Sequence, residues 1–218
     1  MRLGIAMTLL TLALMGGYGF FHGSPVHKHF GMLLAVLWTV HAVLNRRWFK
    51  TLFRGKWSPA RLLRTIVNCG LVVCALFLAA SGASLLDRFV LGGIGLGPGS
   101  ARTVHMLASH WYFVFVSLHV GLHANAILAR LRLSPKSRGA LVALRTAVCL
   151  VGAYGAWAFA ARGIWKYLTL RQPFFFLDLE RGYALFFADY FAMLVLFAAA
   201  AHCALKLCAK RRSEGADR

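Results

Sequence analysis

Acidic side chains are nearly missing from this chain: six Asp and Glu among 218 residues, against 25 Lys and Arg. Charge of either sign is scarce as well, at 14% of residues, where a soluble domain spends about a quarter. With 60% hydrophobic residues gathered in long runs and a mean hydropathy of +0.66, this excludes a soluble enzyme, a disordered tail and a secreted disulfide scaffold. The five cysteines (Cys69, Cys74, Cys149, Cys203 and Cys208) are odd in number and lie in apolar stretches. They form no C-x-x-C pair and no C-x-x-C-H, the attachment motif of a c-type haem, and read as small buried hydrophobes. No nucleophile stands with a base. The glycine-rich Leu91–Ser100 stretch lacks the strand and soluble helix of a dinucleotide site and reads as a plain loop.

What is present is an integral membrane protein. A bilayer core needs about 20 apolar residues per helix, and six segments qualify or come close: Leu3–Phe21, Val26–Leu44, Leu62–Leu86, Val104–Leu128, Ala140–Ala161 and Tyr183–Leu207. The fold expected is all-α, with six transmembrane helices. A signal peptide is the alternative for the first segment. However, the run is long for an h-region and Gly-Gly-Tyr-Gly-Phe-Phe offers no small-x-small cleavage site, so an uncleaved helix is expected.

A net charge of +19 raises nucleic acid as a partner, but the charges lie between the apolar runs and not along a face interleaved with stacking aromatics. They are topogenic, and no nucleic-acid partner is expected. Basic residues mark the cytoplasmic side. Arg2, the connections after the second and fourth spans, and the C-terminal end together hold 18 of the 25 basic residues. Four of the six acids (Asp87, Asp178, Glu180 and Asp189) fall on the other side. Both termini are therefore placed in the cytoplasm and the chain in the cell membrane. It reads as one membrane domain, 1–218, with a histidine-bearing core over 22–128 and a basic cytoplasmic tail over 208–218. An aromatic outer segment, 162–189, is expected to lie on the membrane surface.

Nine histidines in so apolar a chain require an account, because an ionisable side chain at membrane depth is costly. At 100° and about 1.5 Å per residue, 14 residues return to within about 40° of the same helix face after rising about 21 Å. His27 and His41 on the second span are 14 apart, as are His105 and His119 on the fourth. Both spans run from outside to inside, and each pair starts near its outer end. His27 should thus stand level with His105, and His41 with His119. His29 and His110 leave these stripes by about 120° or more. His123 lies on the stripe, one turn past His119, but has no partner at its depth; contact with a propionate or a hydrogen bond to a ligand suits it best. His22, His29 and His110 read as structural or interfacial, and His202 is left open.

Two imidazoles facing each other across a bundle are the axial ligands of a six-coordinate haem. Two such pairs make a dihaem core in a four-helix bundle of the first four spans, with two non-covalent b haems expected. Gly16, Gly17, Gly19, Gly31, Gly70, Gly82 and Gly121 offer small surfaces there, though membrane helices also use glycine for packing. Arg46, Arg47, Arg61 and Arg64 at the inner mouth and Arg88 and Arg102 at the outer one could neutralise haem propionates or serve topology alone.

The segments His27-Lys28-His29-Phe30-Gly31, His41-Ala42-Val43-Leu44-Asn45-Arg46-Arg47-Trp48 with Leu52-Phe53-Arg54-Gly55-Lys56, His105-Met106-Leu107-Ala108-Ser109-His110-Trp111 and Ser117-Leu118-His119-Val120-Gly121-Leu122-His123 resemble the flavinylation-associated cytochromes. The resemblance covers roughly residues 22 to 128, and more loosely the Phe-rich outer stretch and the last span. It implies a b-type cytochrome that carries electrons across the membrane to extracytosolic proteins bearing covalent flavin. By resemblance, His27, His41, His105 and His119 match the haem-ligand positions and His123 is a further matching histidine. No flavin-acceptor domain is present in this chain. Other readings stay open: a quinol-oxidising or ferric-reductase subunit with the same core, served by a quinone or another inner redox donor, a histidine-rich metal-ion transporter, and a membrane anchor without a cofactor. The chain carries no catalytic domain of its own.

Overall fold

The computed structural model describes residues 2–17, 25–86, 97–172, 174–176, 180 and 182–216. His22, Gly19, Asp87, Arg88, most of the glycine-rich loop, Pro173 and Asp178 lie outside them. Among the described residues the regular structure is entirely α-helical: α1 (Arg2–Leu14), α2 (Val26–Leu44), α3 (Arg46–Thr51), α4 (Pro59–Leu86), α5 (Pro98–Leu122), α6 (Ala124–Arg130), α7 (Arg138–Ala161), α8 (Ile164–Leu168) and α9 (Gly182–Ala216).

Three helices, α4, α7 and α9, are long and apolar enough to cross a membrane, and α5 with α6 makes a fourth if that bent pair is one span. The pair bends by 65° at His123, so the fourth apolar segment is not one straight helix through Leu128. Helix α2 has the bounds of the expected second span, but His27, Lys28, His29 and His41 dilute its apolar character. Helix α1 is apolar and short. At the other end, the basic 208–216 stretch continues α9 and forms no separate element.

Helix α5 is the hub. It packs along α4 on one side and α9 on another, and α7 lies against α9. Small residues permit this closeness: a Cβ at Gly121 would run into the backbone of Ala198, and one at Gly155 into that of Ala192. The main core lies here, with Phe113, Ala158, Ile164, Phe186, Tyr190 and Met193 all but sealed. The outer aromatic segment turns into it. Ile164 and Tyr167 of α8 are buried, and the Trp111 indole N–H donates to the Leu168 carbonyl at 3.1 Å. The segment is therefore an inward-packed element at these positions and not only a surface one.

One ion pair holds α7 and α9 at that end. Arg162 Nε donates to Asp189 Oδ2 at 2.7 Å, with the two side chains 8% and 2% exposed. The Tyr154 hydroxyl donates to the other carboxylate oxygen at 2.5 Å, and the guanidinium lies over the Phe186 ring. Each charge out of water has a partner, the condition for burying one.

Helix α2 stands apart. It packs chiefly on α1, meets α4 at a few positions, and none of its 19 residues is buried.

Candidate functional site

The open flank between α2 and the α4–α5 pair is where the histidines meet. His27 lies within electrostatic reach of His105, and His41 within reach of both His119 and His123. The two levels deduced from the 14-residue spacings are thus the two places where the side chains gather. The rings of His119 and His123 are 4.7 Å apart and inclined by 54°.

His105 and His119 of α5 are each oriented by a polar residue of α4 that the sequence reading passed over. His119 Nδ1 is 2.9 Å from Asn68 Oδ1, and His105 Nδ1 is 3.2 Å from Ser81 Oγ. Asn68 and Ser81 are 13 residues apart, a rise of about 20 Å, which matches the rise between the histidines they serve. A detectable signal existed: Asn68 is a lone amide in an apolar span, and such a group needs a partner.

The two helices that bear the 14-residue histidine spacings end alike. Helix α2 stops at Asn45 (φ −101°, ψ 18°) and α5 at His123 (φ −106°, ψ 7°), each followed by a short helix. Asn45 and His123 each stand four residues after the last histidine of the preceding helix, His41 and His119. The Asn45 side-chain amide donates to the His41 carbonyl at 2.7 Å, doubling the bond that the Asn45 backbone N–H makes to the same oxygen at 3.1 Å. This is the local reason for asparagine in the H-x-x-L-N element.

The remaining histidines are elsewhere. His29 is exposed. His110 is buried on another face of α5, its Nδ1–H donating to the Met106 carbonyl at 2.8 Å and its ring stacked on Tyr167 at 4.5 Å. His202 lies near the backbone of Gly121. Arg61 is committed to structure: its guanidinium donates to the carbonyls of Thr51, Leu52 and Lys56 and lies over Trp57. Arg64 is near His123.

The glycines divide in the same way. Gly31 on α2 borders open space and Gly82 faces the His105 ring, whereas a Cβ at Gly70 would strike Phe115 and one at Gly121 would strike α9. Gly121 therefore serves helix packing, and at Gly70 the Phe115 ring takes the space.

Chemically, the site offers pairs. Among the described residues no three His, Cys, Asp or Glu side chains converge as a bare metal ion would require. Two imidazoles suffice where a macrocycle supplies the other four donors. With Nδ1 of His105 and His119 held by α4, the ring nitrogen free to ligate is Nε2, the usual division of labour in a metal-binding histidine. The donor set and the loosely packed α2 both fit a haem at each level. No family model, curated protein or solved structure matches the chain.

Proposed function

We propose that the protein is a dihaem b-type cytochrome of six membrane-spanning helices that transfers electrons across the cell membrane. His27 and His105 would hold the outer haem, and His41 and His119 the inner one. The observation that carries this reading is the gathering of the histidines at two separate levels, with Nδ1 tied at each. A haem supplies a one-electron ferric–ferrous couple; the chain fixes its sidedness, spacing and potential. Both termini face the cytoplasm on this reading. His123, beside His119 and Arg64, would act on the inner haem from outside its ligand set. The resemblance to flavinylation-associated cytochromes supports an extracytosolic flavoprotein as acceptor.

The test is a reduced-minus-oxidised absorption spectrum of the purified protein with haem counted per chain. Two haems are expected, with one lost in His27→Ala or His105→Ala and the other in His41→Ala or His119→Ala. A colourless protein from haem-replete cells would refute the reading. In oriented vesicles, loss of either haem should stop transfer from an inner donor to an outer acceptor. Transfer at the normal rate in both classes of variant would refute a relay in series.

A further inference from the structure

His105 and His119 of α5 are held by different acceptors, and the difference has a direction. Ser81 is fully buried, and its hydroxyl has one proton. That proton is committed to the backbone, at 2.6 Å to the Phe77 carbonyl with Leu78 O at 3.3 Å. Toward His105 Nδ1, Ser81 Oγ can therefore only accept. Asn68 Oδ1 carries no proton at all and accepts from His119 Nδ1. Both imidazoles are thereby fixed as the Nδ1–H tautomer, with the lone pair on Nε2.

The two bonds are unequal. An amide carbonyl at 2.9 Å is at the optimum for N–H···O, whereas a hydroxyl at 3.2 Å is at the long end of the range. An acceptor on the far nitrogen raises the basicity of a ligating imidazole, and a more basic ligand favours the more positive, ferric state of an iron. We infer that Asn68 and Ser81 are positioning residues that set the ligating tautomer of His119 and His105, with Asn68 lowering the reduction potential at its level more than Ser81 does at the other. This rests on the dihaem reading. The contribution biases electrons to leave the His41–His119 level for the His27–His105 level. The cation of Arg64 acts in the opposite sense on the absolute potential, so the change on substitution is the quantity to read.

Two measurements on the full chain test it. Imidazole 15N spectra of histidine-labelled protein, with and without haem, should show His105 and His119 protonated at Nδ1. Protonation at Nε2 in the haem-free protein would overturn the inference without touching the haem count. Redox titration should then show Asn68→Leu moving one haem to a more positive potential while the other stays fixed. Ser81→Ala should move the second haem in the same direction by a smaller amount. Asn68→Ser, which keeps a weaker acceptor, should fall between wild type and Asn68→Leu, and Ser81→Thr should restore the wild-type value. If haem is retained and neither potential moves, or if Ser81→Ala has the larger effect, the inference fails while the dihaem reading stands. A wild-type chain without haem would refute that reading alone, leaving the tautomers to be judged by NMR.

Discussion

The α7–α9 flank and the α2 flank of the same hub helix are built on opposite plans. On the first, glycines let backbones touch, aromatic side chains fill the core, and Arg162, Asp189 and Tyr154 satisfy one another out of water. On the second, α2 buries no residue and leans mainly on α1. A membrane helix gains little hydrophobic driving force from meeting another, since lipid is as apolar as a protein neighbour. Close packing and polar bonds must hold it instead. The α7–α9 flank has both within the chain. On the α2 flank His27 stands near His105 and His41 near His119; on the proposed dihaem reading, a haem at each level would join α2 to α5.

The largest way to break this contrast is on the packed side. Asp189→Leu leaves the Arg162 guanidinium buried without its counter-ion and should cost about 3–5 kcal/mol, read as a large fall in the melting temperature of detergent-solubilised protein. An unchanged melting temperature would mean that the pair does not support the packed flank. Next in size, Gly121→Ala and Gly155→Ala should each force α9 away from a neighbour and destabilise by about 1–3 kcal/mol, whereas Gly31→Ala, bordering open space, should be nearly silent in the haem-free protein. A sharper test is haem depletion followed by hydrogen exchange. Exchange should accelerate in α1 and α2 and stay slow in α5, α7 and α9; equal acceleration in all five would deny the difference between the flanks. Smallest, Arg61→Ala frees the Thr51–Lys56 turn and removes exposed hydrogen bonds worth about 1 kcal/mol, detectable as faster proteolysis of that turn with little change in melting temperature.

Much of this was legible from spacing alone. The apolar runs located α2 at its observed bounds, and α4, α7 and α9 to within a few residues at the ends they share with the expected spans. The 14-residue repeats placed His27 beside His105 and His41 beside His119. This worked because helix rise and rotation are fixed by the backbone, so two positions on one helix define a depth and a face without any knowledge of packing. What was not legible depended on a partner. Gly121 looks the same in sequence whether it makes room for a ring or for Ala198. Tyr167 has the composition of an interfacial residue and is instead stacked on His110. The break at His123 has no proline to announce it. Asn68 and Ser81 were overlooked because their meaning lies in which nitrogen they face across the helix interface.

The matched breaks at Asn45 and His123 bear on how the molecule sits in a bilayer. From His27 to Asn45, and from His105 to His123, is 18 residues, or about 27 Å of helix, close to the hydrocarbon thickness of about 30 Å. Past each break the chain turns into a short helix, α3 with Arg46, Arg47 and Lys50 and α6 with Arg130 alone, and around α3 the side chains of Phe49, Phe53 and Trp57 are exposed, as suits an aromatic belt at the headgroups. A collar of this kind after α2 would act as a stop. With that collar at the headgroups, α2 could not slide along the membrane normal without dragging cations into the lipid, so His27 and His41 would keep a constant distance from that surface. Variation in bilayer thickness would then be absorbed at the opposite face, and the depth of His41 would be set by the protein and not by the lipid.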